Sequence, residues 1–129
     1  MEGRLEMKSE IVKVDSIKEF YTPERCFIYE LWNQPEDESM SIAVARVEPG
    51  IRTRLHYLEG ITERYLIIEG RGLVEVEGLP LTEVSSGDLV VIPEGKRQSV
   101  KNIGDIDLKF YCICNPPFDD TYYHDAEKD

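Results

Sequence analysis

Turn signals interrupt this chain at intervals of roughly 8–12 residues, and that spacing leaves room for short strands but not for a long helix. Glu48-Pro49-Gly50, Gly78-Leu79-Pro80, Ser85-Ser86-Gly87-Asp88, Pro93-Glu94-Gly95 and Asn102-Ile103-Gly104-Asp105 follow one another along the second half. Glycine, proline, serine and asparagine each favour a bend for their own steric or hydrogen-bonding reason. The runs between them are rich in valine, isoleucine and aromatic residues, which suit a pleated, half-buried surface. This pattern predicts an all-β sandwich or barrel.

The first half fits the same reading. Ile11-Val12-Lys13-Val14 forms a short candidate strand, Cys26 to Trp32 a second, and Met40 to Val47 a third that is apolar on both faces. Later strands are expected over Leu73–Glu77, Leu81–Val84, Leu89–Ile92 (short and buried), Gln98–Lys101 and Asp107–Asn115, with Pro116-Pro117 ending the sheet. At 129 residues the chain is read as one domain over 1–129, with a barrel core at about 25–115. An N-terminal extension covers 1–24, with residues 1–10 expected to fray, and a tail covers 116–129.

Charge narrows the partners. The formal net charge of −11 argues against nucleic acid and anionic membranes, which demand a basic surface. No apolar run approaches the ~18–20 residues of a membrane span, and MEGRLEMKSEIVKV lacks a signal-peptide core. A cytoplasmic location is expected, with Cys26, Cys112 and Cys114 as reduced thiols.

Gly50 to Gly70, GIRTRLHYLEGITERYLIIEG, holds an imidazole and a carboxylate at short spacing on neighbouring predicted strands. Folded as a hairpin, it would bring His56 and Glu63 together on one face. That makes the pair the candidate site.

The same stretch, together with Gly87 to Asn102, resembles the cupin superfamily, specifically the small single-domain cupins. The first cupin motif runs Gly, five residues, His-x-His, three or four residues, Glu, six residues, Gly; Gly50, His56, Leu58, Glu63 and Gly70 keep its spacing. The second runs Gly, five residues, Pro-x-Gly, two residues, His, three residues, Asn; Gly87, Pro93, Gly95, Gln98 and Asn102 keep that too. The resemblance implies a jelly-roll barrel of two antiparallel sheets, which closes or shields its edges. It also implies a site at the barrel mouth and, since small cupins commonly pair through their sheets, a homodimer. Phe27, Tyr29 and Trp32 supply more aromatic surface than one face of a small core uses, in keeping with such an interface.

The ligand positions depart from the family pattern. Its metal is typically held by three histidines and one glutamate, but this chain has Leu58 and Gln98 at two of the histidine positions. Leucine offers no donor, and glutamine offers only a neutral carbonyl. The resemblance therefore implies at most a weakly held divalent metal (Mn, Fe, Ni or Zn) on His56, Glu63 and Gln98. Strand alternation from those positions sends Arg54, Leu58, Tyr65, Ile67 and Val100 inward as well. The expected pocket has His56 and Glu63 as catalytic groups and Arg54, Tyr65 and Gln98 as substrate contacts over an apolar floor.

Two functions stay open at this level. One is an enzyme with isomerase, lyase or hydrolytic chemistry on a small polar acid or sugar derivative. The other is a non-catalytic small-molecule-binding barrel that has lost its metal. Cys112-x-Cys114 reads either as a metal or redox pair or as two buried small hydrophobes. His124 reads either as a surface residue or as part of a tail folded over the barrel mouth.

Overall fold

The computed structural model describes residues 6–127, so the expectation of fraying over residues 1–5 lies outside the described residues. Among the described residues there are eleven strands: β1 (Phe20–Tyr21), β2 (Phe27–Trp32), β3 (Ser41–Val47), β4 (His56–Leu58), β5 (Thr62–Glu69), β6 (Arg71–Val76), β7 (Thr82–Ser85), β8 (Leu89–Ile92), β9 (Gln98–Asn102), β10 (Leu108–Asn115) and β11 (Tyr123–Asp125). Two three-residue 3-10 turns, Val14–Ser16 and Asp120–Tyr122, are the helical segments among the described residues.

The strands form two antiparallel sheets. One has six strands in the order β1-β2-β3-β10-β5-β8, the other five in the order β11-β4-β9-β6-β7. This is the all-β barrel expected from the turn spacing, in the jelly-roll form that the cupin resemblance implies. Inward residues from both sheets meet in one core, with Val47, Ile92, Val100, Leu108 and Phe110 almost wholly removed from water.

Several local expectations fail. Ile11-Val12-Lys13-Val14 pairs with nothing as a strand; its apolar side chains are exposed and the 3-10 turn takes up Val14. β8 is not buried on both faces. It is the end strand of its sheet, so Val90 and Ile92 face the core while Leu89 and Val91 face solvent. The aromatics of β2 are partly used within the chain. Phe27 packs against Tyr21 and lies under the Arg46 guanidinium, 4.1 Å from the ring centre, and Trp32 donates its indole N–H to Asp37 at 2.8 Å.

The largest correction concerns the central stretch. Gly50 to Gly70 is not a hairpin. β4 belongs to the five-stranded sheet and β5 to the six-stranded sheet. The turn at Glu59-Gly60 therefore carries the chain across the barrel, from one wall to the other. His56 and Glu63 both point inward because they stand on opposing walls.

Asn102 fastens the two motifs to each other. Its side-chain N–H groups donate to the carbonyls of Val47 and Ile106, both at 2.8 Å, and its side-chain oxygen accepts from Gly104 N–H at 2.9 Å. Its backbone N–H donates to Ile51 and its carbonyl accepts from Gly50 N–H. With no exposed surface, this amide has every polar atom used inside the protein. Replacing Asn102 with Ala leaves two carbonyls and an N–H without partners, at about 1–3 kcal/mol per fully buried group. A loss of at least about 3 kcal/mol is expected in urea unfolding; a loss under about 1 kcal/mol would show that water replaces the amide.

Gly70 is required on two counts. Its φ is +91°, and a Cβ there would lie 2.8 Å from both Asp107 O and Leu108 Cα. Gly60 also has a positive φ, +71°, but open space around it. Gly60→Ala is expected to cost about 1–2 kcal/mol from conformation alone, and Gly70→Ala clearly more, because backbone atoms must also move. Equal losses for the two variants in the same unfolding assay would contradict this assignment.

Candidate functional site

The cavity forms because β3 turns small residues inward. Ser41, Ala43 and Ala45 face the interior, while the larger Ile42 and Arg46 face outward. The space left is about 440 Å³, closed by β2, β4, β5, β10, the loop before β2 and the segment after β10. A volume of this order suits a small organic ligand.

On β4, His56 and Leu58 point in and Tyr57 points out, as strand alternation requires. The alternation does not extend back to Arg54. The chain between Gly50 and β4 has a single bridge, Arg52 to Lys101, and is otherwise irregular. Thr53 lines the cavity in place of Arg54. Arg54 turns away and pairs with Asp125 on β11 at 3.0 Å, so its expected place among the substrate contacts is corrected.

His56 is 5% exposed. Its Nδ1 lies 2.8 Å from the Arg54 carbonyl oxygen and 3.3 Å from Glu24 Oε2. A carbonyl can only accept, so Nδ1 carries the hydrogen. In the neutral ring Nε2 then holds the lone pair, and it makes no hydrogen bond among the described residues. The ring is stacked on Tyr123, centre to centre 4.9 Å. The carboxylate that orients His56 is thus Glu24, not Glu63. Glu24 comes from the loop before β2, a segment whose sequence announces only a proline break.

Glu63, on the opposite wall, is 7% exposed. Its Oε2 faces the Cys114 thiol at 3.6 Å, and its Oε1 is buried without a hydrogen-bond partner. Burial pushes its carboxyl up to about 7; His56 pulls it down, Glu24 pushes it up further, and the Gln98 amide and Cys114 pull it down. Burial likewise raises Glu24, against the opposing pull of His56. The thiols of Cys112 and Cys114 are raised by burial, then by Glu63. Both therefore stay protonated, the state of buried small hydrophobes rather than of reactive thiolates.

Tyr65 lines the cavity and donates its hydroxyl to the side-chain oxygen of Gln98. Gln98 is 1% exposed and stands behind Tyr65, outside the cavity lining. Its role is to hold Tyr65 rather than to touch a ligand directly. His124 lies on the other face of β11 from Tyr123, against Glu59 at 2.9 Å and stacked on Tyr57. It is a surface residue. The tail is nevertheless part of the site, because Phe118, Asp120 and Tyr123 close one side of the cavity.

These residues do not fit a divalent metal. His56 Nε2 and Glu63 Oε1 are two donors, the Gln98 oxygen is taken by the Tyr65 hydroxyl, and Leu58 fills the remaining family position. Among the described residues no three His, Cys, Asp or Glu side chains are grouped to hold a metal ion. Catalytic metal sites require about three protein ligands.

The sequence model of one family, described as the cupin domain, matches residues 43–114. An uncharacterized protein of Methanocaldococcus jannaschii is 35% identical over 114 residues, which is 87% of this chain and 90% of that one. A solved structure from Thermotoga maritima, described as a predicted oxalate decarboxylase, superposes with a TM-score of 0.75 at 22% identity, covering 83% of this chain and 99% of the other. Streptomyces Pac13, in a variant with uridine, gives a TM-score of 0.78 at 14% identity over 94% and 93% of the two chains. Pac13 is described as a nucleoside dehydratase. At such identities these two structures speak for the fold alone.

Glu63 yields a test by pH. Its carboxyl titrates near 7 in the folded protein against an ordinary value of 4.5. The unfolded chain releases that proton first, so stability falls as pH rises from about 4.5 to about 7 and is level above. Glu63→Gln removes this penalty. The variant is expected to be more stable than the parent at about pH 8, by roughly 3 kcal/mol at most, and no more stable at about pH 4. Equal melting of the two proteins at the higher pH would mean that Glu63 is solvated or paired.

Proposed function

The chain belongs to the cupin family, and from that premise we propose that it is a small-molecule enzyme of the lyase or isomerase type. His56 takes a proton from the substrate, and Glu63 positions it. The observation that carries this reading is the orientation of His56. Its Nδ1–H is held by the Arg54 carbonyl and Glu24, and Nε2 is left for the cavity. A base oriented by a carboxylate at its far nitrogen is the arrangement that makes imidazole an efficient proton acceptor. The imidazolium that forms is stabilised by the Glu24 carboxylate 3.3 Å away.

The proton moves in one of two ways. His56 Nε2 removes it from a carbon next to a carbonyl, and the electron pair passes into the carbonyl as an enolate. In an isomerisation the imidazolium returns the proton to the neighbouring atom. In an elimination it gives the proton to the leaving hydroxyl, which departs as water. General acid–base help of this kind contributes about 10²–10⁴-fold. No step needs a metal ligand that this chain lacks. A small-molecule carrier is the second reading, favoured by Leu58 and Gln98 at the family's ligand positions.

Deuterium exchange separates them. The protein is incubated in D₂O with a panel of small carbonyl compounds (neutral sugars, sugar acids and amino ketones), and exchange or loss of water is followed by proton NMR. Exchange is expected for at least one compound, abolished in His56→Ala and reduced about 10–100-fold in Glu24→Gln. Exchange equal in His56→Ala and the parent would exclude His56 as the base. Binding without exchange across the panel would establish the carrier.

A further inference from the structure

We infer that the ligand of this cavity carries a protonated amine, held by Glu63 and the aromatic wall, and not a carboxylate. The inference rests on the reading of this pocket as the functional site, and it names the charge class of the molecule that site takes.

Charge comes first. Glu24, Glu30, Glu63 and Asp120 all line the cavity, whereas no lysine or arginine among the described residues does. His56 is the one basic side chain on the wall among the described residues, and its Nδ1–H is committed to Arg54 and Glu24. Arg54, which an anionic substrate would need, faces Asp125 instead.

Hydrogen bonding points the same way. The Tyr65 hydroxyl donates to Gln98, the Thr22 hydroxyl to the Cys26 carbonyl at 2.9 Å, and the Cys114 thiol faces Glu63 Oε2. The wall has thus spent these three donors. An incoming carboxylate would lie among four acidic side chains, at the cost of its own hydration.

The buried oxygen supplies the independent observation. Glu63 lines the cavity, and its Oε1 is enclosed with no hydrogen-bond partner among the described residues. A buried carboxylate oxygen in that state is costly unless a donor arrives with the ligand. An ammonium group supplies both the donor and the opposite charge, and charge-assisted bonds of this type are about twice as strong as neutral ones. Phe20, Tyr65, Phe110, Phe118 and Tyr123 provide the aromatic part of the wall. Aromatic faces attract cations, and more strongly where water is excluded.

The test uses three probes on one skeleton: benzylamine, benzyl alcohol and benzoate, with charges +1, 0 and −1. Each is titrated into the full chain at about pH 8, and binding is read from backbone amide shifts. Benzylamine is expected to bind about tenfold or more tighter than the alcohol, a difference equivalent to about 1.4 kcal/mol, and benzoate weakest. Glu63→Gln is expected to erase the preference for the amine over the alcohol, with the dispersion of the backbone amide signals showing that the variant is folded. Benzoate binding as well as benzylamine would overturn the inference. So would a failure of benzylamine to bind at concentrations that saturate a millimolar site, or an amine preference that survives Glu63→Gln. These outcomes are independent of the proton-transfer reading, because binding of the amine without deuterium exchange would uphold this inference and remove that one.

Discussion

The two-walled site depends on one buried amide. Asn102 closes the second motif and, through Gly50 and Ile51, ties it to the start of the first. It also holds the carbonyls of Val47, the last residue of β3, and of Ile106, in the turn just before β10, both next to strands of the opposite sheet. In a barrel whose sheets touch mainly through non-directional apolar contacts, a fully satisfied polar group fixes which loop lies against which. The register of β9, and with it the placement of Gln98 behind Tyr65, follows from that anchor.

Against this well-satisfied centre stands Glu63. The same burial that would be tolerable for an amide leaves one carboxylate oxygen without a partner. Stability alone would not keep such a group, since an uncharged side chain would serve the core better. Functional sites are where proteins retain this kind of local cost. His56 shows the complementary case. Its ring is fixed by a carbonyl, a carboxylate and a stacked tyrosine from three separate segments, so its free nitrogen has one direction to face.

Much of the barrel was legible. Its turns are marked by glycine and proline where the backbone needs a positive φ or a bend, and the strands between them carry β-branched and aromatic residues. The site was legible in part: His56, Glu63 and Tyr65 face the cavity as strand alternation required. Arg54 does not, because alternation holds only within a paired strand and the residues before His56 are not paired. Glu24 was missed for a related reason. It sits in an irregular loop far from His56 in sequence, and no local pattern signals a contact made across the mouth of a barrel. The inward Ser41, Ala43 and Ala45, which open the cavity, left a visible trace in the alternation of small and large residues in β3.

Sequence alone determined the fold and the identity of the two central groups, because turn chemistry and strand periodicity are local and a spacing pattern survives without knowledge of contacts. Which partner each group has was decided only by the tertiary structure. His56 and Glu63 lie on adjacent strands in the chain but on opposite sheets in space, so their nearest neighbours come from distant segments: Glu24 and Tyr123 for one, Cys114 for the other. The charge of the cavity was decided in the same way. Whether Arg54 faced in or out depended on Asp125, more than seventy residues later, and long-range pairing of that kind is not written in any local stretch of sequence.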